Sequence, residues 1–306
     1  MYNFSSKPFI LCKLTNACNQ KCIHCYTDAC AGGITQLKSE QVIDLLEDIE
    51  KINKDSVVSF IGGEATVWKD FFEVISIPKY KSSLYLKVNT NGTALKEQSY
   101  DKFADSSLFE TRISLDYYYN SKHDYFRGNG TFDKAVNTIK ELKKRGLTVT
   151  TGTVISRLNF KEINEIIQYF LKLGIEVMHF FPFLPQGRGK EFIEFTLSDD
   201  ENTWVKNEIK KYQKKPVCTV PCDTGTCYFS VTFDGKCYLH FPDNSEEKKI
   251  IGSLNEKRFL DIYQEVYSPN DYNIVDCSQC AYYKDPIMCK NMHTFCIADL
   301  DLREGY

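Results

Sequence analysis

Between residues 8 and 182 the chain alternates strand-like and helix-like stretches six times, and this alternation restricts its fold more than any other feature. Residues 8–14 (Pro-Phe-Ile-Leu-Cys-Lys-Leu) read as a short buried strand, and Val57-Val58-Ser59-Phe60-Ile61 as a second. Residues 84–89, Thr111-Arg112-Ile113-Ser114-Leu115, 147–151 and 175–181 supply four more. Apolar positions at helical spacing fall between them, over 37–53, 94–104, 132–145 and 160–173. Ser39-Glu40-Gln41 suits the start of the first helix, and Gly146 and Gly174 close the last two. Strand–helix repetition of this kind implies parallel strands joined by right-handed crossovers. The sheet is then either an open doubly wound sheet or a full or partial barrel, and in both cases sites gather at the carboxyl ends of the strands.

The uncommon residues obey that rule. A loop with Cys18, Cys22 and Cys25, spaced Cys-x3-Cys-x2-Cys and ending on Tyr26, follows the first strand. Gly62-Gly63-Glu64 follows the second, Asn89-Thr90-Asn91 the third, and Ser114 and Asp116 end the fourth. Pro185-Gln186-Gly187-Arg188-Gly189 lies beyond the sixth. Three soft thiolates on one short loop suit iron–sulfur ligation. A four-iron cluster held by three thiolates keeps one iron open to a ligand with its own donor atoms. The same loop also suits a zinc site with His24 as fourth ligand.

The chain has 306 residues, a net charge of −3 and thirteen cysteines. The charge argues against a nucleic-acid binder that works through a strong positive field. No apolar run is long enough to span a membrane. The first residues carry no secretory pattern, so a cytoplasmic location is expected. An odd cysteine count in a reducing compartment points to metal binding or catalysis rather than a disulfide framework. Five cysteines lie at or before Cys30 and eight from Cys218 onward, which suggests one early thiolate site and a separate late one. The texture changes near Lys214-Lys215-Pro216, so two domains are expected, 1–215 and 216–306.

The ordered motifs over about residues 8–190 resemble those of the radical S-adenosylmethionine enzymes. Gly62-Gly63-Glu64-Ala65 is similar to the family's Gly-Gly-Glu-Pro, with Ala65 in place of Pro. Thr90-Asn91-Gly92, Ile113-Ser114-Leu115-Asp116 and His123-Asp124-Tyr125-Phe126-Arg127-Gly128 resemble its later segments. The resemblance implies an α/β fold, a partial (β/α)6 TIM-like barrel with a small cysteine-rich C-terminal auxiliary-cluster domain. It implies a [4Fe-4S] cluster on Cys18, Cys22 and Cys25 whose open iron binds S-adenosylmethionine. It places Tyr26, Gly62, Gly63, Glu64, Asn89, Asn91, Ser114, Asp116, Arg127 and Ile155 around that ligand, with Ser114 on the nucleoside, Asp116 on the ribose and Arg127 on the methionine carboxylate. The reaction it implies is reductive cleavage to methionine and a 5′-deoxyadenosyl radical, which takes a hydrogen atom from substrate.

The tail resembles the SPASM extension of enzymes that modify peptides, which implies one or two auxiliary four-iron clusters. One would use Cys218, Cys222, Cys237 and Cys296; the other Cys277, Cys280 and Cys289, with Cys227 or His240 as further ligands. His240 stands where the family usually has Cys, the closing spacing is looser than usual, and a zinc ribbon remains open for this region. The leading expectation is maturation of a ribosomally made precursor peptide by a thioether or carbon–carbon crosslink or an epimerisation. Its partners would be a separate leader-binding protein and an external one-electron reductant of flavodoxin or ferredoxin type. The alternatives are a sulfatase formylglycine maturase, a small-molecule radical dehydrogenase, and a non-catalytic iron–sulfur or zinc sensor. A sensor, however, needs no nucleoside pocket.

Overall fold

The computed structural model describes residues 8–30, 32–54, 56–77, 83–175, 177–212, 228–239, 250–266 and 295–296. Six parallel strands stand side by side in chain order: β1 (Phe9–Lys13), β2 (Val57–Ile61), β3 (Tyr85–Thr90), β4 (Leu108–Ser114), β5 (Val149–Ile155) and β6 (Met178–Pro182). The order never reverses, so there is no switch point of the doubly wound kind, and the arrangement is that of a partial barrel. The fifth and sixth strands begin two or three residues later than the sequence pattern predicts, because Leu147 and Ile175 turn back to cap the preceding helices through backbone bonds to Leu142 and Phe170.

Helices α1 (Ser39–Ile52), α2 (Phe71–Ile75), α3 (Glu97–Ala104), α4 (Asn120–Arg127), α5 (Thr131–Lys144), α6 (Ile163–Lys172) and α7 (Asp199–Lys210) complete this part of the chain. At the start of α1, the Gln41 side chain accepts from the Lys38 amide. Its Val42, Leu45, Leu46 and Ile49 stripe is buried against the sheet. The helix-facing rows of the sheet, Ile10, Cys12, Val58, Phe60, Leu86, Val88 and Ile113, are all buried in that core. Successive strand side chains point to opposite faces. The alternate row Leu11, Ser59, Lys87 and Glu110, and beside it Arg112, Thr150, Gly152 and His179, therefore faces the barrel interior.

The sheet continues beyond this unit. β7 (Tyr228–Val231) pairs parallel with β1, and β8 (Lys236–Leu239) and β9 (Ile250–Ser253) follow in antiparallel order. The turn expected at Asp234-Gly235 joins β7 to β8. Helix α8 (Phe259–Val266) packs on α1, where Arg258 clasps Asp48 with two bonds of 2.9 and 2.7 Å. β10 (Phe295–Cys296) lies antiparallel on β6, with Cys296 opposite His179. The expected domain boundary at 215/216 falls outside the described residues. Among the described residues, no helix is long and apolar enough to cross a membrane.

Candidate active site

The cysteine loop leaves β1 and is held from three sides. The Gly63 and Glu64 amides donate to the carbonyls of Thr15 (2.7 Å) and Ala17 (2.9 Å), pressing the end of β2 onto the loop. A Cβ on Gly63 would come within 2.2 Å of the Ala17 carbonyl oxygen, so only glycine fits there. From β3, Asn91 reaches Asn19 (2.8 Å), and Thr93 receives both Asn19 and Gln20. The Cys22 thiol in turn donates to Gln20. From beyond β6, the Arg188 amide donates to the Cys25 carbonyl (3.0 Å), and its guanidinium to the carbonyls of Cys22 (2.9 Å) and Ala29 (2.7 Å) and to Asp28. Gly187, at φ +54°, lies so close to the loop that a Cβ would meet the Cys25 carbonyl at 2.5 Å.

Cys18 and Cys22 are buried, and Cys25 is half-buried. Burial pushes the Cys18 thiol up to about 12 and raises that of Cys22. Metal binding would have to displace those protons. Among the described residues no three His, Cys, Asp or Glu side chains converge on a single ion. The His24 ring packs on Phe126 at 5.2 Å, with Nε2 3.8 Å from Asp116. Burial lowers it to about 3, so it is neutral. Three thiols without a fourth protein ligand do not suit a closed zinc site. They do suit a cluster that offers each sulfur its own iron.

Glu64 is 2% exposed, and its carboxylate is fully engaged within the protein. It accepts from Thr66 (3.0 and 2.5 Å), Thr90 (2.6 Å) and the Asn91 amide (2.7 Å), tying the rim of β2 to that of β3. Asp116 and Arg127 form a buried two-pronged ion pair at 2.5 and 3.2 Å, and Asp116 also accepts from the Val154 amide. The guanidinium holds the Asp116 carboxyl well below the usual range despite burial. Asp116 and Arg127, expected on the ribose and on the methionine carboxylate, are thus brought together and bond each other. Ser114 ends β4 half-buried, next to Gly152 of β5. Tyr26 is 38% exposed, with Lys13 Nζ 5.7 Å from its ring centre. Asn89 lies in the interior row beside Arg112, and its Oδ1 is buried without a partner.

Two expected site residues stand elsewhere. Ile155 faces the helices and is buried in the main core, because Val154 and Ile155 point to opposite faces of β5; Val154 is the one beside the rim cluster of Tyr117, Phe126, Phe183 and Phe195. Cys237 lies in the same lateral row as Cys12 and Val231, fully buried among core side chains, its thiol pushed up to about 12 by burial. Cys218, Cys222, Cys227, His240, Cys277, Cys280 and Cys289 lie outside the described residues, and only the backbone of Cys296 is described.

The family profile described as the Radical SAM superfamily matches residues 12–186. The chain belongs to that superfamily. It is 29% identical over 182 residues to the mycofactocin maturase MftC of Mycolicibacterium smegmatis, covering 58% of this chain and 45% of that protein. It is 28% identical over 216 residues to the Fe-coproporphyrin III synthase of Methanosarcina barkeri, covering 70% and 53%. The chain thus spans about half the length of these curated relatives. A solved structure of native anSMEcpe with bound AdoMet and Cp18Cys peptide superposes with a TM-score of 0.66 at 18% identity, over 91% of this chain and 87% of that one. At that identity the likeness speaks for the fold.

Proposed function

We propose that the chain removes a hydrogen atom from a ribosomally made precursor peptide to start its maturation by crosslinking or epimerisation. The observation that carries this reading is the cysteine loop clamped under the Gly62-Gly63 rim at the mouth of a half-open barrel. When bound and reduced, the cluster and S-adenosylmethionine supply a hydrogen-abstracting radical. Cys18, Cys22 and Cys25 would hold the cluster. The Gly62-Gly63 backbone, free of side chains, lets the methionine end approach closely. Arg127 is a buried cation suited to a carboxylate, and it would have to loosen its grip on Asp116 to serve. Ser114 and Asn89 offer polar groups towards the interior, and Tyr26 an aromatic face. Glu64 acts through the two strand ends that it ties together. In the tail, Cys218, Cys222, Cys237 and Cys296 would hold one auxiliary cluster, and Cys277, Cys280 and Cys289, with Cys227 or His240, a second. An external one-electron reductant and a leader-binding protein complete the reading. The peptide substrate is supported by the tail's resemblance to peptide-modifying enzymes and by the likeness to MftC, a maturase.

A second reading, a radical reaction on a tetrapyrrole, is favoured by the similarity to Fe-coproporphyrin III synthase. The test is anaerobic reconstitution with iron and sulfide, then reduction with S-adenosylmethionine and a short peptide encoded beside the gene. The expected products are 5′-deoxyadenosine and a peptide that has lost hydrogen or gained deuterium from solvent. Peptide returned unaltered alongside altered coproporphyrin would replace the first reading by the second. Absence of 5′-deoxyadenosine would sink both.

A further inference from the structure

The barrel interior below the rim holds a charged group that none of the rim motifs explains. On β4, Glu110 is 4% exposed and anchors two cations: Lys87 of β3 at 2.7 Å and Arg112 at 3.0 Å. Thr150 of β5 donates to it at 2.8 Å, and the cations hold it ionised, well below the usual carboxylate range. Arg112 Nη2 also donates to His179 Nε2 of β6 (3.0 Å). His179 is lowered to about 4 by burial and by the guanidinium, so it adds no charge at neutral pH. The group therefore carries two positive charges against one negative.

Its exposure is uneven. The side chains of Lys87, Arg112 and His179 are 22, 15 and 13% exposed, while the anion is the buried member. What the interior presents to an incoming molecule is positive. A purely structural network would close on itself, but Arg112 Nε is buried without a partner, and so is Asn89 Oδ1 next to it in register. The guanidinium is held in place rather than loose. Its stem lies across Gly152, where a Cβ would meet Arg112 Cδ at 3.3 Å, and it sits 5.9 Å from the Phe181 ring centre. Arg112 lies two residues before Ser114, about 7 Å down the strand from the rim.

We infer that Arg112 and Lys87 form an anchor for a carboxylate of the substrate, beneath the rim. Guanidinium and ammonium groups with spare donors recognise carboxylates through charge-assisted hydrogen bonds. Anchoring there leaves the neighbouring part of the substrate facing the rim. The inference rests on the proposed substrate-modifying role, and it narrows the peptide to one with an acidic residue near the altered position. A tetrapyrrole carboxylate has the same chemistry, so the test separates the two sources.

The test uses the reconstituted enzyme at fixed salt and fluorescence anisotropy with four probes. Two are labelled capped octapeptides of alternating Gly-Glu and alternating Gly-Gln; the others are coproporphyrin III and its tetramethyl ester, read as competitors. The Gly-Glu peptide is expected to bind at least ten-fold more tightly than the Gly-Gln peptide, about 1.4 kcal/mol. That preference is expected to vanish in Arg112→Gln and to survive in part in Arg112→Lys. Glu110→Gln carries the sharper expectation: removing the competing anion should tighten carboxylate binding at least three-fold, whereas a merely structural network predicts no gain. Arg112-dependent binding of coproporphyrin alone would keep the carboxylate anchor and overturn the peptide source. Carboxylate preference unchanged in both Arg112→Gln and Glu110→Gln, each with wild-type iron content, would overturn the inference.

Discussion

The rim and the interior of this barrel lie a few residues apart on the same strands but are built differently. The rim is held largely through backbone groups of its loop: the carbonyls of Thr15, Ala17, Cys22, Cys25 and Ala29 are each bonded to a neighbouring segment, and glycines fit where no side chain can. The interior is made from side chains that reach across β3, β4, β5 and β6. A backbone-built site tolerates little substitution. A side-chain lattice that is partly open to solvent tolerates more and is free to specialise.

The largest expected effect is at the buried rim pair. Arg127→Gln leaves Asp116 charged and unpaired, and should cost about 3–5 kcal/mol in denaturant unfolding. The double variant with Asp116→Asn should recover a good part of that loss; no recovery would deny that the pair acts as a unit. Next comes Gly63→Ala, where overpacking against the Ala17 backbone should cost about 1–3 kcal/mol and lower the iron bound per chain after reconstitution. A fully iron-loaded Gly63→Ala protein would break the contrast with the interior. Third, Arg188→Ala should cost only about 1 kcal/mol, yet speed amide hydrogen exchange over residues 22–29, because it frees two loop carbonyls. The smallest effect belongs to the interior: Arg112→Gln should shift unfolding by under about 1 kcal/mol, since Glu110 keeps Lys87 and Thr150 as partners.

Acid should expose both regions. His123, at the rim, and His179, inside, are both lowered to about 4, chiefly by burial. The unfolded chain takes up protons near pH 6.5 that the folded chain refuses until about pH 4. Stability from these residues is therefore complete above about pH 6.5 and falls as pH drops through that window. Thermal melts of the metal-free protein from pH 7.5 to 4.5 should show the decline, and His179→Asn should flatten it. A melting temperature that holds steady through the window would refute the assignment of neutral, buried imidazoles.

The rim was legible because its residues sit in short motifs directly after strands, and strand ends are where parallel sheets collect sites. Alternation alone identified all six strands of the barrel. What escaped depends on register. Lys87 and Glu110 face each other next to a slip in the β3–β4 pairing, which no local pattern announces. Val154 and Ile155 are neighbours in sequence, but one residue in a strand is one face, so only Val154 lies beside the rim cluster. Arg188 acts on a loop about 160 residues earlier; its only local signal is the pair of glycines on either side. The ladder also sets Cys237 in one row with Val231 and Cys12, a neighbourhood that the spacing of the cysteines does not announce.

The parallel pairing of β7 with β1 also has a consequence for how the molecule is made. One neighbour of β1 leaves the ribosome within some fifty residues, the other only after more than two hundred. At translation rates of about 5–20 residues per second, β1 spends roughly 10–45 s with one open edge, while the cysteine loop that follows it is already synthesised. Pairing this distant in sequence is slow to form, and an open edge invites other strands. The first strand is therefore the most vulnerable part of the nascent chain, and the last third acts on it as a built-in guard.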